Sequence, residues 1–85
     1  MEIEEKLSAI KAINNEIDQC DRSIEKLEML RVSGGVDCLT LVSGNHECQF
    51  TPLPNKFSET IIIIMKTEYN IRKKELIEKA SELMK

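Results

Sequence analysis

Isoleucine recurs at intervals of seven through the first third of the chain, at Ile3, Ile10, Ile17 and Ile24. A second line with the same period, Ile13, Cys20 and Leu27, runs three residues behind it. Two apolar lines at this spacing are the seam of a coiled-coil helix. No Pro or Gly interrupts the pattern before Ser33-Gly34-Gly35, where glycine ends it as a helix C-terminus requires. The spacing predicts a helix over residues 2–31, roughly 45 Å long at ~1.5 Å per residue. Its outward positions are mostly acidic, with Lys6, Lys11, Arg22 and Lys26 scattered among them, a solvated face whose ion pairs each contribute little.

Beyond the glycines the period falls to two. Val36-Asp37-Cys38-Leu39-Thr40-Leu41-Val42 is apolar and β-branched, Ser43-Gly44-Asn45-His46 supplies turn residues, and Glu47-Cys48-Gln49-Phe50-Thr51 resumes the alternation. This predicts a β-hairpin over residues 36–51. Burial selects its register. An even loop pairs Leu41 with Cys48 and Leu39 with Phe50, so all four share one face, with Thr40, Val42, Glu47 and Gln49 on the other. A one-residue slip would set Leu39 and Leu41 beside Glu47 and Gln49. In the even register Cys38 faces away from His46 and Cys48, so the three do not converge on a metal. They also lack a CxxC pair and a fourth ligand. No metal or cofactor is expected. A thiol nucleophile would need a cleft and a third, orienting group, neither of which the sequence implies. Ser33-Gly34-Gly35 follows a helix and lacks the lysine of a phosphate loop.

Pro52 and Pro54 close the hairpin, and proline is tolerated in the first turn of a helix. Ile62, Tyr69, Leu76 and Leu83 then repeat at seven, predicting a second helix over residues 54–84. Two helices of similar length joined by a hairpin should fold back antiparallel. Pairing residues whose numbers add to 86 sets Ile24 against Ile62, Ile17 against Tyr69, Ile10 against Leu76 and Ile3 against Leu83. The same alignment puts Asn14 opposite Arg72 as a polar layer that fixes register. A ligand-binding reading of that layer makes Asn14, Asn15, Tyr69, Arg72 and Lys73 a pocket between subunits. Arg72 and Lys73 would hold an anion there and the Tyr69 ring would stack on a base.

The second helix also contains Ile61-Ile62-Ile63-Ile64-Met65, the longest apolar run in the chain. Successive helical residues step ~100° round the axis, so these side chains form a collar, whereas packing on one partner needs only a stripe. Ile62 is satisfied by Ile24, and Ile61 lies near the hairpin residues that need cover. Ile63 and Ile64 are left over, with Ile71 and Ile77 extending them into a second stripe. Ile61, Ile63, Ile64, Ile71 and Ile77 are therefore expected at a subunit interface. The predicted fold class is mainly α with a small β-hairpin (α+β): an antiparallel two-helix coiled coil with the hairpin at its tip, assembling as an oligomer.

Composition agrees. The 85 residues allow one domain, 32% are charged and 4% aromatic, and there is no Trp. A net charge of −3 argues against a nucleic-acid partner, which needs a basic face. The acidic start is unlike a secretory leader, and the Ile run is far short of the ~20 residues of a membrane span, so no membrane association is expected. Three irregularly spaced cysteines fit free thiols in a reducing compartment, and a cytoplasmic protein is expected.

Helix, hairpin and helix in this order resemble the β-type subunit of prefoldin in miniature, with shorter helices that lack that family's long client-holding tips. The chain also resembles the small coiled-coil proteins of bacteriophages and prophages. Those resemblances imply a chaperone-like role in the first case. In the second they imply an anti-defence role in the host cytoplasm, by binding a host protein or by sequestering a small nucleotide signal. The residues themselves point to a non-enzymatic, homo-oligomeric module that binds a macromolecular partner. A sponge for a small anionic ligand of nucleotide type is the alternative, and prefoldin-like client binding a further one.

Overall fold

The computed structural model describes residues 2–85. Its elements are α1 (Ile3–Val32), β1 (Leu39–Ser43), β2 (His46–Phe50) and α2 (Asn55–Leu83). The molecule is long and thin, 52 × 31 × 15 Å, with a radius of gyration of 17.0 Å. A compact chain of this length would have about 12 Å. Among the described residues no helix is long and apolar enough to cross a membrane.

The helices pack antiparallel. Glu16 pairs with Arg72 at 2.9 Å, Asp21 with Lys73 at 2.6 Å and Glu28 with Lys66 at 2.5 Å, so numbers rise along one helix as they fall along the other. The core is the line Ile13, Cys20 and Leu27 of α1 set against Ile62 and Leu76 of α2. Ile17, Tyr69, Ala80 and Leu83 pack half-buried around it. The predicted α2 seam is therefore the packed one, with Ile62 and Leu76 fully enclosed.

The pairing differs from expectation. The line that α1 buries most deeply is Ile13-Cys20-Leu27, while Ile10, Ile17 and Ile24 are half-buried and Ile3 is 76% exposed. A straight α-helix drifts ~20° per heptad away from a strict seven-residue repeat. The isoleucine line accordingly swings off the seam from Ile24 toward Ile3. The cross-helix ion pairs join residues whose numbers add to 88 in one case and 94 in two, not to 86. Arg72 thus meets Glu16, and the expected Asn14–Arg72 layer is not formed. At the far end Lys6 Nζ reaches the Lys85 carbonyl at 3.5 Å, and Ile3 lies a turn beyond that level.

The end of α1 is built by its glycines. Gly35 N–H donates to the Leu30 carbonyl at 2.7 Å and Gly34 N–H to the Arg31 carbonyl at 3.4 Å, the bond pair of a Schellman motif. Gly34 and Gly35 hold φ of +112° and +98°, which side-chain-bearing residues rarely adopt. The chain then crosses to α2, where the buried Ser58 Oγ accepts the Val36 N–H. A Cβ on Gly35 would lie 2.7 Å from that same oxygen.

The hairpin has the predicted even register, with Leu39 opposite Phe50 and Leu41 opposite Cys48. Gly44 and Asn45 form its two-residue loop. Gly44 has φ of +59° and Asn45 a negative φ, the pattern of a type II′ turn. The strands are shorter than the predicted 36–51 span. Asp37 lies outside the ladder because its carbonyl accepts the Leu53 N–H, at 3.0 Å, from the segment that leads into α2. The Thr51–Pro52 peptide bond in that segment is cis. Neither strand packs against a helix, so Ile61 does not cover the hairpin face as expected.

Gly35→Ala is expected to cost about 1–3 kcal/mol, since it adds backbone strain to a clash with Ser58. Gly34→Ala meets open space and should cost less, because strain acts alone there. Equal costs in urea denaturation would remove the Gly35–Ser58 contact from this account.

Candidate interaction surface

The Ile collar ends up with one side in the core and three out of it. Ile62 is buried and Ile61 half-buried, but Ile63 is 64% exposed and Ile64 56%. Ile71 and Ile77 are exposed to a similar degree. At ~100° per residue these side chains fall on two lines, not one. Phe57, Ile64 and Ile71 recur at seven on the face directly opposite the core. Ile63 and Ile77 lie roughly 100° round the helix from it. Phe57 is not among the residues expected on this face, although its seven-residue spacing to Ile64 is the signal that reveals it.

Phe57 also connects this helix face to the hairpin. With Leu39, Leu41, Phe50 and Pro52 it lines an open apolar concavity of about 520 Å3 between the strands and the start of α2. Every residue of β2 is exposed, as is every residue of β1 except the half-buried Leu39. Met29, Leu30 and Val32 are exposed at the adjoining end of α1. The uncovered apolar side chains are thus concentrated at the hairpin end of the molecule. Ile71 lies near the middle of α2, and Ile3, Leu7, Ile77 and Met84 lie toward the other end.

The area involved is large. The chain exposes 6975 Å2. A folded monomer of 9.7 kDa is expected to expose ~5100 Å2. The excess of ~1900 Å2 is more than twice the ~800 Å2 that one partner loses in an interface of standard size.

The residues expected to line an anion pocket are placed differently from one another. Asn14 and Asn15 are exposed on α1. Tyr69 is half-buried against the Ile13–Cys20–Leu76 cluster, so its ring serves the core. Arg72 donates to Glu16 at 2.9 Å and lies 3.7 Å from Glu75, and Lys73 is paired with Asp21. The Glu16 hydrogen bond, then its charge, raises the Arg72 pKa above the ordinary guanidinium value. Both cations therefore already have carboxylate partners. Cys38 and Cys48 are exposed free thiols and Cys20 is a buried one. Among the described residues no group of three or more His, Cys, Asp or Glu side chains could hold a metal ion.

No protein-family model, no curated protein and no solved structure matches this chain.

A polar clasp borders the apolar end. Glu28 accepts from Lys66 and from Arg31, the latter at 2.8 Å. The Lys66 hydrogen bond, followed by that of Arg31, holds the Glu28 carboxyl below its usual range. A carboxyl depressed by folding contributes stability that is fully present above its unfolded pKa and is lost as pH falls through the folded value. Glu28→Gln is therefore expected to lower the urea midpoint slightly at pH 7, the pair being only half-buried, and to leave it unchanged at pH 2–3. A deficit of equal size at both pH values would show that the ion pairs are not its source.

Proposed function

We propose that this chain is a non-catalytic interaction module that works as a homo-oligomer, with α2 packing on its counterpart in another copy. The observation that carries this reading is the apolar surface of α2 that no other part of the described chain covers. Ile64 and Ile71 sit opposite the core, Ile63 and Ile77 flank them, and the chain exposes ~1900 Å2 more than a compact monomer of its mass. Water contact with apolar area costs ~25 cal/mol for each Å2. Burying such a face between two helical hairpins gives a four-helix bundle, the simplest closed solution. The assembled bundle would bind a macromolecular partner through the surface that remains.

The anion-sponge reading has less support. A nucleotide held by Arg72 and Lys73 would have to displace Glu16, Glu75 and Asp21 from them. Tyr69 would have to leave the core to stack on a base.

Light scattering coupled to gel filtration tests the module directly. The wild-type chain is expected to run as an oligomer at micromolar concentration. Ile64→Glu with Ile71→Glu should weaken association by ~100-fold or more while helical circular dichroism persists. A wild-type monomer would end this reading. A thermal shift with cyclic or ADP-ribose-type nucleotides, lost in Arg72→Ala, would put the sponge in its place.

A further inference from the structure

The two-stranded ribbon has two free edges, and they are chemically unequal. β2, His46-Glu47-Cys48-Gln49-Phe50, carries a charge and a titratable ring. β1, Leu39-Thr40-Leu41-Val42-Ser43, has no charge, no Pro, no Gly and no bulge. Natural sheets block exposed edges with those very devices, because an unblocked edge is a template for another strand. A ribbon of two strands with neither face covered is also marginal in water by itself.

We infer that the β1 edge is a second self-association site, pairing antiparallel with β1 of another copy to form a continuous four-stranded sheet. This rests on the reading of the chain as self-associating, and adds to it an interface separate from the α2 face. The main chain fixes the register. The two-residue turn closes a hydrogen-bonded pair at Ser43 and His46, and alternation along the ladder makes Leu41–Cys48 and Leu39–Phe50 hydrogen-bonded pairs as well. The N–H and C=O groups of Thr40 and Val42 therefore point away from β2. Setting a twofold axis at Leu41 pairs Thr40 of each copy with Val42 of the other. Those two pairs make four hydrogen bonds, and Leu41 meets Leu41 of the second copy across the axis. All five residues of β1 are used.

Three observations favour a second copy as the occupant. The strand is complementary to itself in length and in side chains, with β-branched Thr40 and Val42 facing each other on one side and leucines on the other. A β2–β2 pairing about Cys48 would instead bring the two Glu47 carboxylates to the diagonal distance of about 7–8 Å. Third, the excess of ~1900 Å2 accommodates two interfaces of ~800 Å2 per partner and is more than one of them uses. The joined sheet would also set the Leu39–Leu41–Phe50 concavities of both copies side by side, making one continuous apolar face. Two isologous faces on each chain close most simply as a tetramer with D2 symmetry.

The test is the native mass of the full chain and its variants. Wild type is expected at four times the 9.7 kDa chain mass. Thr40→Pro removes an outward N–H and leaves the β1–β2 hydrogen bonds in place, so it should halve the mass. Ile64→Glu with Ile71→Glu should also halve it, and the three changes together should give monomer. A cross-link supplies an independent reading in a background with Cys38→Ser and Cys48→Ser. Leu41→Cys, oxidised with glutathione disulfide, should form a covalent dimer, whereas Val42→Cys should not. A wild-type oligomer whose mass Thr40→Pro leaves unchanged, with no Leu41→Cys cross-link, overturns the β1 edge and spares the α2 interface. A wild-type monomer overturns both.

Discussion

Everything in this structure depends on one seam. Ile13, Cys20 and Leu27 of α1 close against Ile62 and Leu76 of α2, and those five are the only buried apolar side chains among the described residues. Two helices can bury one stripe each and no more, so the core is a line and not a centre. This follows from the seven-residue repeats alone. Polar contacts flank the seam: Glu28 with Lys66 and Arg31 toward the hairpin, Lys6 with the Lys85 carbonyl at the other end. Apolar lines of this kind tolerate several axial registers.

That tolerance marks the limit of what could be read in advance. The two helices, their antiparallel order and the hairpin pairing were all legible, because each is written as a period: seven for the helices, two for the strands. Predicted and observed helix limits differ by a residue at each end, as caps usually do. The axial register was not legible. An apolar line slid along another apolar line still finds apolar partners, so the 86 alignment satisfied every seam residue and yet misplaced Arg72. In the structure Arg72 meets Glu16 while Lys73 and Lys66 meet Asp21 and Glu28, contacts that spacing does not encode. Asp37 leaves the predicted strand for a similar reason. Its carbonyl is taken by Leu53, sixteen positions away, and no local pattern announces that bond.

The candidate surface shows the same division. That Ile63, Ile64, Ile71 and Ile77 are spare could be counted from the sequence once Ile62 had a partner. That the hairpin gets no cover from either helix could not, since coverage depends on the angle at which the ribbon leaves Gly35 and returns at Pro54. Gly35, pressed against Ser58, and the Asp37–Leu53 hydrogen bond hold that angle. The consequence is functional. The hairpin and the collar, two features with separate sequence signatures, become neighbours through Phe57 and form one uncovered apolar end. We propose that association with further copies covers this end.

The most direct measurement is the midpoint of thermal unfolding across a hundredfold range of protein concentration. If folding is completed by association, mass action requires the midpoint to rise with concentration, since the folded oligomer binds its own copies and the unfolded chain does not. That rise is the expected result. A cooperative transition at one temperature throughout the range would contradict it, showing that the single seam between α1 and α2 is sufficient for a stable monomer.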